Sequence, residues 1–250
     1  MCWSATADAI GGTAISAVGI ATLVSVRRPR DVVLASVPLI LGFHQLVEAV
    51  VWRGEEGKAT EEAAELARGI WAFIAFPLLP FLVPLGVLLA VWPIASRNRR
   101  MLLGALFGIG VVVAAYLAEA LATGPVNATV RGHTVQYAIG IDHAHIVIAG
   151  YLVASLGSLL ASGERVLGWF GAVGAVGAAI CAWIWTREFA STWCALAAVT
   201  SVMLLAWVRG HGRGDGPDHP AAPAEARHEA RSRGDESRSR HFVHRTHRSV

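Results

Sequence analysis

The sequence predicts an all-α, polytopic bundle of seven transmembrane helices, and three observations carry that reading. The first is composition: 54% of the residues are hydrophobic before any of the 26 glycines is counted, whereas soluble domains reach roughly 45–50% apolar with Gly included. The second is distribution. The apolar residues fall in seven blocks, each close to the roughly 20 residues that a helix needs to cross the hydrocarbon core. The third is the placement of charge, because two very short links between blocks hold three arginines each.

The first block runs from Ala9 to Val26 and is ended by Arg27, Arg28, Pro29 and Arg30. The second runs from Val32 to Trp52. In the polar stretch that follows, Arg53 to Arg68, Thr60 is the residue type of an N-cap, placed to start a short Ala/Glu helix. The third block, Gly69 to Ala95, contains Pro77, Pro80 and Pro84 along one face. Each proline removes a backbone donor, so this helix should bend or break, and broken spans often line a cavity or a transport path. Ser96 to Arg100 turns the chain into the fourth block, Met101 to Thr123, and a longer loop reaches Asp142. His143 to Ser162, Gly168 to Thr186 and Ser191 to Val208 complete the set.

Small residues suggest helix contacts at Gly104 and Gly108, and at Gly168, Gly171, Gly174 and Gly177, since they let backbones approach closely in lipid. A general Ala/Gly bias explains the same glycines equally well.

Orientation follows from basic residues beside the spans. With the amino terminus outside, the inner side holds Arg27, Arg28, Arg30, Arg97, Arg99, Arg100, Arg165, Arg209 and Arg213. The outer side holds Arg53, Lys58, Arg68, Arg131 and Arg187. Trp52, Trp92, Trp169, Trp185, Trp193 and Trp207 fall near span ends, as an interfacial belt would have them. Residues 1–208 carry 12 basic and 12 acidic side chains, so the net charge of +3 comes from residues 209–250, with nine Arg and six acids. That segment reads as a disordered basic cytoplasmic tail, either plainly solvated or in contact with anionic lipid headgroups. No folded basic surface points to nucleic acid. A cleaved signal peptide is not expected, because the first basic residue follows the first apolar block instead of preceding it.

Ionisable residues inside a bilayer are costly and therefore candidates for function. His44 and Glu48 lie four apart on one face of the second span, with Gln45 beside them. Tyr116 and Glu119 lie three apart on the fourth, and Asp142, His143 and His145 open the fifth. His133 precedes these, and Arg187 and Glu188 close the sixth. All fall in the outer halves of their spans, and the inner halves hold nothing comparable. His44, Glu48, Asp142, His143 and His145 are a donor set suited to zinc or another divalent cation. With Gln45, Tyr116 and Glu119 the same region could bind a polar ligand or relay protons. The alternatives are polar packing between helices and, for the residues nearest the ends, solvation at headgroup depth. No HExxH helix, GxSxG elbow, Walker loop or dinucleotide fingerprint marks an enzyme. The only lysine, Lys58, lies in a loop, which excludes a retinal Schiff base on the last span. Cys2 and Cys194 fall on the outer side and could form a disulfide in an oxidising compartment; free thiols fit the sequence as well.

The opening Met1-Cys2-Trp3-Ser4-Ala5-Thr6-Ala7, the run His44-Gln45-Leu46-Val47-Glu48 with Trp52, and Trp193-Cys194 resemble a family of uncharacterised bacterial multi-pass membrane proteins. Ala49 stands where that family leads one to expect Gly. The resemblance covers residues 1–208 and implies topology but no chemistry. The expectation is a multi-pass protein of the plasma membrane, without a known protein partner, that binds an ion or small ligand in the outer half of its bundle. Its rivals are a membrane-embedded metal-dependent lipid hydrolase and a non-catalytic scaffold.

Overall fold

The computed structural model describes residues 4–131, 134–184 and 189–214. Among them are seven helices long and apolar enough to cross a membrane: α1 Ala5–Val24, α2 Pro29–Glu55, α3 Glu61–Val91, α4 Arg97–Thr123, α5 Ala144–Ala161, α6 Arg165–Ile184 and α7 Thr192–Gly210. The expected all-α, seven-span architecture is therefore present. The last helix continues to Gly214, and the rest of the expected tail, 215–250, lies outside the described residues.

Local chemistry sets the ends. The hydroxyl of Ser4 accepts from the Ala7 N–H at 3.2 Å and starts α1 four residues before the apolar block. Thr60 caps α3 in the same way, accepting from Ala63 at 3.3 Å. The short Ala/Glu helix expected there is continuous with the third span. Pro38 has no N–H to return to Leu34, and α2 is correspondingly interrupted at Ser36 between Val32–Ala35 and Val37–Glu55. Pro77 falls in a single wide π turn, Ile74–Leu78, and the helix resumes at Leu79–Val91 with Pro80 in its first turn. The prolines thus loosen α3 locally without ending it.

The segment expected as a long loop before the fifth span contains an antiparallel hairpin, β1 Asn127–Arg131 and β2 Thr134–Ala138. Its register pairs Ala128 with Tyr137 and Val130 with Val135. Directly paired residues share a face, so these four form the side turned to the bundle, where Ala128 and Val135 are buried.

Consecutive helices pack as neighbours, and α2 also meets α7 while α3 also meets α5. The most enclosed pair is α2 and α3. The buried face of α1 is Asp8, Gly12, Ile15, Gly19 and Thr22, a stripe spaced four, three, four and three, while Ile10, Ile20 and Val24 are exposed. A lipid-embedded helix can place its small and polar residues inward and its apolar ones outward. At Gly19 a Cβ atom would come within 2.4 Å of the Leu39 backbone, and at Gly42 within 2.5 Å of Ser16. In α6, Gly171 and Gly174 accommodate Leu159, Leu160 and Leu156 of α5, and Gly177 accommodates Leu196 of α7. The expected contact at Gly104 and Gly108 is absent among the described residues: neither has an atom of them within 4 Å of its Cβ position, nor has Gly168. The belt also divides. Trp92 and Trp169 are exposed, but Trp52, Trp193 and Trp207 are buried against other helices, and Trp185 lies outside the described residues.

Gly19→Ala should lower stability by about 1–3 kcal/mol through overpacking against Leu39, whereas Gly108→Ala should cost nothing measurable. Unfolding midpoints of the two purified variants in a denaturing-detergent titration test the difference.

Candidate functional site

The half of the bundle that carries the hairpin encloses four side chains with no exposed surface: Asp8 of α1 and His44, Gln45 and Glu48 of α2, each 0% accessible. The helical spacing of α2 puts His44 and Glu48 on one face, and Gln45 donates from Nε2 to Glu48 Oε2 at 3.4 Å. The glycine contacts fix the register of α1, because a Cβ at Gly12 would meet Gly42 and Leu46. One turn earlier, Asp8 therefore comes level with the turn of α2 that holds Glu48, close enough for the two carboxyl groups to interact, with the Trp52 indole beside them.

An aromatic stack closes the other side. The His44 ring lies 4.8 Å from that of Trp71 on α3, tilted by 38°. Trp71, fully buried, stacks on Tyr137 of β2 with ring centroids 3.4 Å apart and planes within 5°. Phe76 meets Trp71 edge-on at 5.9 Å. From α7, the thiol of Cys194 falls within electrostatic reach of Glu48. Beyond Trp71, Arg68 joins the ends of α2 and α3, reaching Glu55 at 3.2 Å and Glu61 at 2.6 Å.

Much of this polar surface is only partly satisfied. Gln45 Oε1 and the Trp71 indole nitrogen have no hydrogen-bond partner among the described residues, and Asp8 and His44 are only partly met, the carboxyl by the Trp52 indole beside it and the imidazole by the Trp71 backbone, neither at full hydrogen-bonding geometry. Each buried polar group left without a partner costs about 1–3 kcal/mol, and lipid offers no water to relieve it. Polar packing alone accounts poorly for so many partly met positions in one place. The arrangement can accept hydrogen bonds, hold a positive charge beside Asp8, or pass a proton between carboxyl and imidazole.

The residues expected to form a site thus separate into two groups. His44, Gln45 and Glu48 meet in the buried centre. Tyr116, Glu119, Asp142, His143 and His145 are exposed. In this second group Tyr116 donates to the backbone oxygen of Asp142 at 3.1 Å, tying α4 to the start of α5. His143 adopts a left-handed backbone (φ 53°) ahead of α5, and its ring lies 6.4 Å from that of His145. The five residues expected as metal donors do not converge, and no three His, Cys, Asp or Glu side chains are grouped to hold a metal ion among the described residues. Cys194 is buried and forms no disulfide among the described residues; Cys2, its expected partner, lies outside them, as do His133, Arg187 and Glu188.

Asp8, Trp71 and Tyr137 were not among the expected site residues. Asp8 lay just before the first apolar block, and its signal was its place at the head of the 8–12–15–19–22 stripe. Trp71 and Tyr137 reach the centre from a different helix and from a hairpin, so nothing in their own spacing marks them.

Asp8→Asn and Glu48→Gln should be non-additive, with a coupling of about 0.5–3 kcal/mol as expected for side chains in one network. Glu119→Gln, at the exposed surface of α4, should add independently to either. A double-mutant cycle read by equilibrium unfolding measures both terms.

No curated protein and no solved structure matches the chain. The model of a family of unknown function, DUF6629, matches residues 1–218. That match takes in all seven membrane-spanning helices together with Asp8, the His44–Glu48 turn, Trp71, the hairpin and Cys194. The chain belongs to the DUF6629 family of unknown function.

Proposed function

We propose that this membrane protein binds a small cation, inorganic or amine, at the centre formed by Asp8, His44, Gln45 and Glu48. The observation that supports it best is the gathering of four fully buried polar side chains, Asp8, His44, Gln45 and Glu48, whose acceptor atoms the described protein donors meet only in part. Two carboxyl groups within reach of each other in low dielectric repel unless a positive charge or a proton intervenes. Intramembrane ionisable groups that face a bundle interior commonly mark ion or ligand sites.

In this reading the chain is a multi-pass protein of the plasma membrane with its amino terminus outside, so the centre lies toward the outer face. The bias of basic residues toward the links α1–α2, α3–α4 and α5–α6 supports that orientation, and the basic tail then lies in the cytoplasm near anionic headgroups. A reporter that is active only in the periplasm, fused after Val208, should be silent; activity would reverse the assignment.

The melting temperature of the detergent-purified chain tests the site, measured in sodium, potassium, calcium, zinc and choline chlorides at matched ionic strength. At 100 times its dissociation constant a bound cation stabilises by about 2.7 kcal/mol. One of these salts should raise the melting temperature of the wild type saturably and leave Asp8→Asn and Gln45→Leu unmoved. Equal melting in every salt, with Asp8→Asn at or above wild type, would mean that the cluster only packs helices.

A further inference from the structure

The end of the bundle away from the polar centre is rich in arginine. The links α1–α2, α3–α4 and α5–α6, with the first turns after them, bring seven arginines to that end against two acids, Asp31 and Glu164. Asp31 is already engaged, accepting from Arg28 Nε at 2.9 Å. Arg97, Arg99, Arg100 and Arg165 form no ion pair among the described residues. Three of these four occupy the first turn of α4, and Arg165 opens α6; neither first turn contains an acid. Positive charge at the amino end of a helix opposes the macrodipole, so the cluster stands at a cost that a bound anion would offset.

The arginines of different links converge. A Cβ on Gly163 would come within 2.6 Å of Cζ and 2.9 Å of Nη2 of Arg99. The guanidinium of α4 therefore lies against the α5–α6 turn, two residues before Arg165. Arg100 is held at the α3–α4 link, over the Trp92 ring at 5.4 Å and donating to the Pro93 oxygen at 3.4 Å.

Apolar side chains adjoin this charge. Met101 stands one turn after Arg97 and Trp169 one turn after Arg165, and they are 66% and 67% exposed. Residues four apart share a helix face, so each face passes from guanidinium to apolar side chain within one turn. Exposed Trp92 and Trp169 mark this level as that of the lipid headgroups. A phospholipid has the same order of parts. Guanidinium groups take phosphate oxygens in paired, charge-assisted hydrogen bonds, and the apolar side chains meet the acyl chains. A soluble phosphate would leave Met101 and Trp169 unused. A zwitterionic headgroup would bring an ammonium toward a surplus of arginine, whereas a headgroup of net negative charge is attracted.

We infer that the amino-terminal ends of α4 and α6 form a binding site for an anionic phospholipid, its phosphate held by Arg97, Arg99 and Arg165 and its acyl chains lying along Met101 and Trp169. The site is separate from the cation centre and from the basic tail, and it holds whichever side of the membrane this end faces.

Native mass spectrometry of the full chain tests it, released from a nonionic detergent in the presence of equimolar phosphatidylglycerol and phosphatidylcholine. Phosphatidylglycerol adducts should dominate. Arg99→Gln with Arg165→Gln should weaken them about fivefold for each arginine removed, and Arg99→Lys with Arg165→Lys should restore most of the preference. Should the double Gln variant fail to fold, Arg97→Gln with Arg165→Gln, both at exposed positions, replaces it with the same expected loss. A chain with every arginine after position 214 changed to Gln should keep the preference. Equal adducts of the two lipids overturn the site, as does a preference unchanged in the α4 and α6 variants or lost only with the tail arginines. Loss of the adduct on adding millimolar glycerol 3-phosphate would overturn the assignment to lipid and give the arginines to a soluble anion.

Discussion

A carboxylate, an imidazole and an amide on two adjacent turns of one helix cannot face hydrocarbon, and in this protein that constraint falls on α2. His44, Gln45 and Glu48 do not share one narrow stripe, so α2 must be covered on several sides at once. The packing answers that demand. α1 covers one side, α3 a second and α7 a third, and α2 becomes one of the two most enclosed helices of the bundle. Even α1, which covers α2 along one face, keeps its other face open, with Ile10 and Val24 largely exposed.

The covering by α1 works only at short range. Gly12, Gly19 and Gly42 remove the side chains that would hold the two backbones apart, which turns a line of weak dispersion contacts into an extended close fit. The same approach delivers Asp8 to Glu48. Helix packing and the chemistry of the centre are therefore one problem here: a residue that widens the α1–α2 gap also withdraws a carboxyl group from the site.

On the far side, the stack of His44, Trp71 and Tyr137 is built from three separate elements. Trp71 lies just before the π turn of α3, and Tyr137 lies on a hairpin that closes over that end of the bundle. This aromatic partition leaves a polar compartment and, beside it, an apolar cavity of about 230 Å³ bounded by Tyr137, Tyr151 and Trp193. The two offer different chemistry, acceptor groups in one and apolar contacts in the other, and Cys194 borders both, lining the cavity and sensing Glu48.

Span number and placement were legible in the sequence because a bilayer imposes a length and a composition on anything that crosses it. For the same reason His44 and Glu48 stood out as ionisable residues well inside a block, and Thr60 as a cap. Which faces met was not legible. Lipid is as apolar as a leucine core, so the hydrophobic pattern of a span does not say which side is inward, and Gly104 and Gly108 look no different in sequence from Gly171 and Gly174. Tertiary structure alone set the former pair at open positions and the latter against α5. It also buried Trp193 and Trp207, carried Asp8 to Glu48, paired two short strands where only a loop was expected, and parted the buried His44 from the exposed His143 and His145. Each of these depends on distances between segments remote in the chain, and such distances follow from how side chains interlock, which composition and periodicity do not encode.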